Sequence, residues 1–235
     1  MRNAPVLAIT LGCLLLAGCS PSGTPETAEA TPAPTDPALE SPPGLPAAVS
    51  ANFRCGDLLV GVDFDNVAET ATLSWSGHRR VLPQAIAASG ARFADDAGNE
   101  FWNKGDEATL TFAGAEPVQC ATTEETSPWD DARERGVAFR GIGNEPGWLV
   151  EVDGGNAPSL RARLDYGERN IEASNLDTAP DGSRISGRTA EGEDVSLAIS
   201  IEDCSDGMSD QTYPASAELT VGERSYRGCG AWLDR

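Results

Sequence analysis

Residues 57–64 read Asp-Leu-Leu-Val-Gly-Val-Asp-Phe, and residues 70–75 read Thr-Ala-Thr-Leu-Ser-Trp. Both runs are short, rich in β-branched and aromatic side chains, and partly alternating, which is the pattern of a half-buried strand. Working outward, residues 79–82 and 107–113 (Glu-Ala-Thr-Leu-Thr-Phe-Ala) have the same character. Ser76-Gly77, Ser89-Gly90 and Ala97-Gly98-Asn99 separate such runs as turns. No window of this region carries a helical stripe. Cys55 precedes the first run and Cys120 follows the last, so a disulfide between them would close a loop of about 65 residues and stabilise it by about 4 kcal/mol. A domain of this size is marginal without such a cross-link. The reading is a small antiparallel β-barrel over residues 51–121.

The second half repeats the style. Residues 137–142, 148–152, 160–164, 195–201 and 217–221 read as strands, with Gly154-Gly155, Asp181-Gly182 and Asp206-Gly207 as turns. Cys204 and Cys229 supply a second expected disulfide, one per domain. The polar stretch 122–131, with Ser127-Pro128, reads as a linker to a β-rich domain over 132–235. No internal repeat makes the halves duplicates.

Composition bounds the function. The chain has 235 residues, of which 40% are hydrophobic and only 6% aromatic, with 25 glycines and 16 prolines, favouring turn-rich β domains. Lys and Arg number 17 against 37 Asp and Glu, a net charge of −20. Nucleic acid is excluded as a partner, because phosphates need clustered bases. A cationic partner is the electrostatic complement.

Residues 1–18 read as an export signal, with Arg2 before an apolar run that contains no acid and is too short to span a membrane. The run ends Leu16-Ala17-Gly18-Cys19, which resembles the lipobox of bacterial lipoproteins and implies cleavage before Cys19 and lipidation of its side chain and amine. Ser20 stands where an inner-membrane retention signal would place Asp, so the outer membrane, facing the periplasm, is expected. Residues 20–50 hold eight prolines and no Lys, Arg or aromatic residue. Such a segment cannot bury enough apolar surface to offset ordering, and with Cys19 it reads as a disordered tether over 19–50. In polyproline II its 31 residues would reach at most about 95 Å.

Residues 88–110, ASGARFADDAGNEFWNKGDEATL, carry a resemblance. Ser89-Gly90-Ala91-Arg92-Phe93 followed by Phe101-Trp102-Asn103-Lys104-Gly105-Asp106-Glu107-Ala108, between Cys55 and Cys120, resembles the membrane-bound lysozyme inhibitors of c-type lysozyme over residues 52–121. Phe93 replaces a usual Tyr, and Asn103 a usual Thr or Ser. The resemblance implies an eight-stranded barrel and a lysozyme-binding surface comprising Ser89, Gly90, Phe93, Trp102, Lys104 and Gly105. It implies that Ser89 and Lys104 enter the cleft of a c-type lysozyme and engage its catalytic carboxylates. Lys104 is the only lysine, all other basic residues being arginine. A compact ammonium enters a narrow cleft more readily than a planar guanidinium.

Catalysis by the chain itself is disfavoured. Ser89 and Lys104 lack S-x-x-K spacing and an oxyanion-hole motif, and His78, the sole histidine, lies in no nucleophile elbow. No metal, cofactor or catalytic residue is implied. Asp203, Asp206 and Asp210 lack the spacing of a calcium loop. Gly143-Asn144-Glu145-Pro146-Gly147-Trp148 and Gly228-Cys229-Gly230 resemble uncharacterised bacterial envelope domains with a GNEPxW motif, with Gly147 where an aromatic residue is expected. The expected function is a lipid-anchored lysozyme inhibitor that performs no reaction. The competing reading is an envelope scaffold or stress-related binding lipoprotein.

Overall fold

The computed structural model describes residues 46–209 and 211–234. The export signal, Cys19, the tether as far as Leu45, Asp210 and Arg235 lie outside the described residues, and residues 48–50, expected to belong to the tether, are instead the start of the first strand, paired across the ladder with residues 63–65. Eight strands follow one another as an antiparallel meander: β1 (Ala48–Cys55), β2 (Leu58–Asp65), β3 (Thr70–Trp75), β4 (His78–Ala85), β5 (Ala91–Ala94), β6 (Glu100–Lys104), β7 (Glu107–Thr111) and β8 (Val118–Thr123). β8 pairs back onto β1 in the register Cys55↔Cys120, so the barrel is closed without an edge, and those two residues form the first disulfide. Period-2 alternation sends Phe53, Leu73, Leu82 and Phe101 into the core, where each is almost wholly buried.

Helix α1 (Pro128–Glu134) comes next. The stretch read as a linker thus holds the end of β8 and the first turn of this helix. Ser127 is its N-cap, its hydroxyl accepting from the Asp130 N–H at 3.1 Å, and Pro128 occupies the first turn, where a missing N–H is harmless. Seven residues are too few to display a helical stripe, which is why periodicity did not reveal it.

The second domain is β9 (Val137–Asn144), β10 (Gly147–Asp153), β11 (Leu160–Leu164), β12 (Arg169–Thr178), β13 (Arg184–Thr189), β14 (Asp194–Ser200), then a small hairpin of β15 (Cys204–Ser205) and β16 (Thr212–Tyr213), and finally β17 (Ala215–Val221) and β18 (Arg224–Trp232). β18 closes onto β9, giving a second eight-stranded barrel. The expected all-β architecture is therefore present, with one disulfide in each domain. Trp148 of the GNEPxW motif is a core residue, its indole N–H donating to the Arg227 carbonyl at 3.1 Å. The aromatic ring expected at position 147 comes from elsewhere in the chain. Tyr166 lies against Gly147, so close that a Cβ there would meet its ring at 2.6 Å.

A closed meander forces its connections to alternate between ends. Turns 56–57, 76–77, 95–99 and 112–117 lie at one end of the first barrel, and 66–69, 86–90 and 105–106 at the other. The second domain grips the first of these ends. The Ser76-Gly77 turn has positive φ at both residues (44° and 79°), as a two-residue hairpin of this kind requires. Gly77 packs so tightly on Ala231 that an added Cβ would collide with it, and Trp129 of α1 lies 3.2 Å from the same point. The Ser76 hydroxyl donates to Gln211 Oε1 at 2.8 Å, and His78 Nε2 lies 2.9 Å from the Thr212 carbonyl oxygen. The lone histidine thus serves the junction between the barrels.

Helix α1 is fastened to its own barrel by charge. Glu151, nearly buried on β10, accepts two bonds from Arg135 at 2.8 and 2.9 Å and a third from Arg140, whose guanidinium lies 5.6 Å from the Trp129 ring. The Arg135 hydrogen bonds, reinforced by Arg140, hold the Glu151 carboxyl below its ordinary range against the opposing effect of burial. A lowered folded-state value contributes stability above the unfolded carboxylate pKa and loses it as pH falls through the lowered value.

Two outcomes are expected. Glu151→Gln leaves Arg140 partly buried without its counter-charge and lowers stability by about 3 kcal/mol at neutral pH, with a smaller loss in acid, measured by urea unfolding against pH. Gly77→Ala costs about 1–3 kcal/mol more than Gly114→Ala, because both glycines have positive φ but nothing lies within 4 Å of a Cβ at Gly114. Equal losses would mean that the junction yields freely.

Candidate functional site

The end of the first barrel opposite the junction brings together most of the residues singled out from sequence. Phe101 points inward on β6, so Trp102 stands outside, and Lys104, two residues on, shares its face. The chain then reverses through Gly105-Asp106, with Lys104 paired to Glu107. Gly105 has φ 68°, and no atom approaches the place of a Cβ, so the glycine serves the turn rather than a contact. Asn103 holds the hairpin tip, its side-chain amide donating to the Gly105 carbonyl at 2.9 Å. Nothing in strand patterning distinguishes Asn103, although a side chain that caps its own turn is a known habit of Asn.

Ser89 arrives from the loop between β4 and β5, with its side chain exposed. Trp102 joins the two segments. Its indole N–H donates to the Ser89 carbonyl at 2.9 Å, and its ring lies 3.6 Å beneath the Lys104 ammonium. One half-buried side chain therefore fixes the Ser89 backbone and seats the cation. Gly90 permits the approach, since a Cβ there would collide with the Asn103 carbonyl oxygen and meet Lys104 Cγ at 2.8 Å, and its φ of 70° disfavours any other residue.

Arg92, directly opposite Trp102 in the ladder, steadies the base of the loop. It pairs with Glu100 at 2.6 Å and donates to the Ile86 carbonyl at 3.4 Å. Phe93 is not part of this surface. It is 5% exposed and its ring sits 5.5 Å from Phe64 in the core, because the alternation that turns Arg92 outward turns Phe93 inward. A phenolic hydroxyl in its place would have to be accommodated inside the barrel. Ser89 Oγ and Lys104 Nζ thus offer one hydroxyl and one ammonium to a group reaching this end from outside, and the ammonium suits a carboxylate.

In the second domain, Asp206 is occupied by its own turn, accepting from the N–H groups of Met208 and Ser209 at 3.0 and 2.9 Å. Among the described residues no group of three or more His, Cys, Asp or Glu side chains could hold a metal ion.

The family model described as membrane-bound lysozyme-inhibitor of c-type lysozyme matches residues 53–119, from β1 to β8, including both loops and excluding the second barrel. Among curated proteins and solved structures, none matches the chain significantly.

Replacing Trp102 by Phe retains a ring beneath Lys104 and removes the indole donor. Amide hydrogen exchange in residues 86–90 is expected to accelerate, with a stability loss of about 1 kcal/mol. Unchanged exchange would show that the loop is held by other contacts.

Proposed function

We propose that the chain is a lipid-anchored protein inhibitor of c-type lysozyme that performs no reaction of its own. The observation that carries this reading is the joining of Ser89 and Lys104 through Trp102 at one barrel end, within the segment that matches the inhibitor family. A retaining glycosidase works with two carboxyl groups about 5 Å apart. In this reading the Lys104 ammonium lies beside the ionised carboxylate, and the Ser89 hydroxyl hydrogen-bonds the acid. Both groups are then engaged, and the glycan is excluded from the space between them. Hydrogen bonds to charged partners are stronger than neutral ones, and the support beneath Lys104 reduces the ordering lost on binding.

The remainder of the molecule is compatible with this role. Among the described residues the second barrel contacts the opposite end of the first, and Ser89 and Lys104 are exposed. A net charge of −20 favours encounter with a basic enzyme at low salt. Lipidation at Cys19 would hold the inhibitor at the outer membrane, facing the periplasm, where it would protect peptidoglycan from lysozyme entering the envelope.

In a peptidoglycan clearance assay with the full chain in mild detergent, stoichiometric loss of lysozyme activity is expected. Lys104→Ala raises the inhibition constant by about 10–100-fold, and Ser89→Ala raises it less, with thermal midpoints unchanged because both side chains are exposed. No inhibition by the disulfide-intact wild type at micromolar concentration would remove this function and leave the envelope-scaffold reading. Equal inhibition by wild type and Lys104→Ala would remove the lysine from the mechanism.

A further inference from the structure

We infer that Val67 and Ile86 are the apolar anchors of the same interface, seated together against the partner's surface at the rim of the cleft whose carboxylates meet Lys104. The inference rests on the inhibitor reading above and adds residues outside the motifs that suggested it. Ile86 is 97% exposed and Val67 79% exposed, more than any other large hydrophobic side chain among the described residues. Isolated exposed apolar residues need no explanation, but these two share an end. Val67 lies in the 66–69 turn and Ile86 in the 86–90 loop, both at the end that carries Ser89 and Lys104. The Gln84 N–H donates to the Glu69 carbonyl at 2.8 Å, tying the two connections together within two residues of each side chain.

Both side chains stand on ordered backbone. The N–H groups of Val67 and Ala68 donate to Asp65 Oδ1 at 2.9 and 2.8 Å, and the Asn66 side-chain amide donates to the Pro46 carbonyl at 2.7 Å. Arg92 holds the Ile86 carbonyl. Turn tips ordinarily carry small polar residues, so two branched apolar side chains held in solvent oppose local preference. Their burial on association would be gained at little ordering cost.

Charge selects the occupant. This end offers the chain's only lysine together with two exposed apolar side chains, on a molecule of net charge −20. A bilayer surface with anionic lipids would repel such a molecule, since surface attraction relies on clustered bases. A cationic protein whose acidic cleft has apolar walls complements all three features. A retaining glycosidase supplies the acidic part of such a cleft, its two carboxyl groups lying about 5 Å apart.

The test is the double variant Val67→Ser/Ile86→Ser in the full chain, assayed for lysozyme inhibition in mild detergent. The inhibition constant is expected to rise about tenfold for each side chain removed. The thermal midpoint should stay unchanged, and the salt dependence should match wild type because no charge is altered. Ile86→Leu should retain wild-type inhibition. Equal inhibition by wild type and the double variant would overturn the inference while leaving the inhibitor reading intact. So would sedimentation with phosphatidylglycerol vesicles that the double variant loses without any change in inhibition. Absence of inhibition by the wild type is read before any variant and overturns the inhibitor reading itself, and this inference with it.

Discussion

Closure of the first barrel through the pairing of β1 with β8 is the constraint on which the rest of the molecule depends. Cys55 and Cys120 lie opposite each other in that seam, 65 residues apart in sequence, so the covalent cross-link and the last ladder reinforce the same closure. A meander that closes in this way has no freedom over where its connections emerge. Odd-numbered connections face one end and even-numbered ones the other. The Ser76-Gly77 turn and the Ser89 loop, only a dozen residues apart, are thereby committed to opposite ends of the barrel. One joins the second domain, while at the other Ser89 and Lys104 are exposed among the described residues.

At the open end a single indole does two jobs. Trp102 uses its edge N–H to fix the Ser89 carbonyl and its face to hold the Lys104 ammonium, which joins segments from different parts of the chain. The geometry tolerates no side chain at Gly90, because β6 backbone fills that space. Exposed loops are usually the least ordered parts of a domain. Here the Arg92, Asn103 and Asp65 hydrogen bonds order the backbone while leaving the outward side chains unencumbered, which suits rigid-body recognition.

The second barrel contributes its mass at the other end. Helix α1 places Trp129 against the Gly77 turn and is itself held by the Arg135–Glu151–Arg140 cluster, which supports the junction beside the Ser76–Gln211 and His78–Thr212 contacts. The GNEPxW stretch belongs to packing within the second barrel. Trp148 fills the core, and Tyr166 lies over Gly147.

The local pattern of residues was sufficient for the strands with strong β-branched or alternating runs. β2, β3, β4 and β7 in the first barrel, and β9, β10, β11, β14 and β17 in the second, all coincide with runs legible from side-chain type. β5, with Arg92 and Phe93 between two alanines, and β12, with Asn, Glu, Ser and Asp interspersed, owe their strand state to neighbours across the ladder, which no short window contains. α1 was read as part of a linker, because its seven residues, about two turns of helix, are too few to show a period. Ser89, Gly90, Trp102, Lys104 and Gly105 could be picked out as motif members, but which of them face outward could not.

Phe93 was placed on the binding surface by its motif and lies in the core by its strand parity, since inside and outside are assigned by the closed sheet. Val67 and Ile86 carried no motif, and the antiparallel order of the strands puts them at the same end as Ser89 and Lys104. Sequence alone determined the β class, the cysteine pairs, the charge and the chemical groups available, because these depend on residue type and short-range spacing. Tertiary structure alone decided which groups share an end, which are covered by the second barrel, and which remain free to meet a partner. Those properties depend on contacts between residues far apart in the chain.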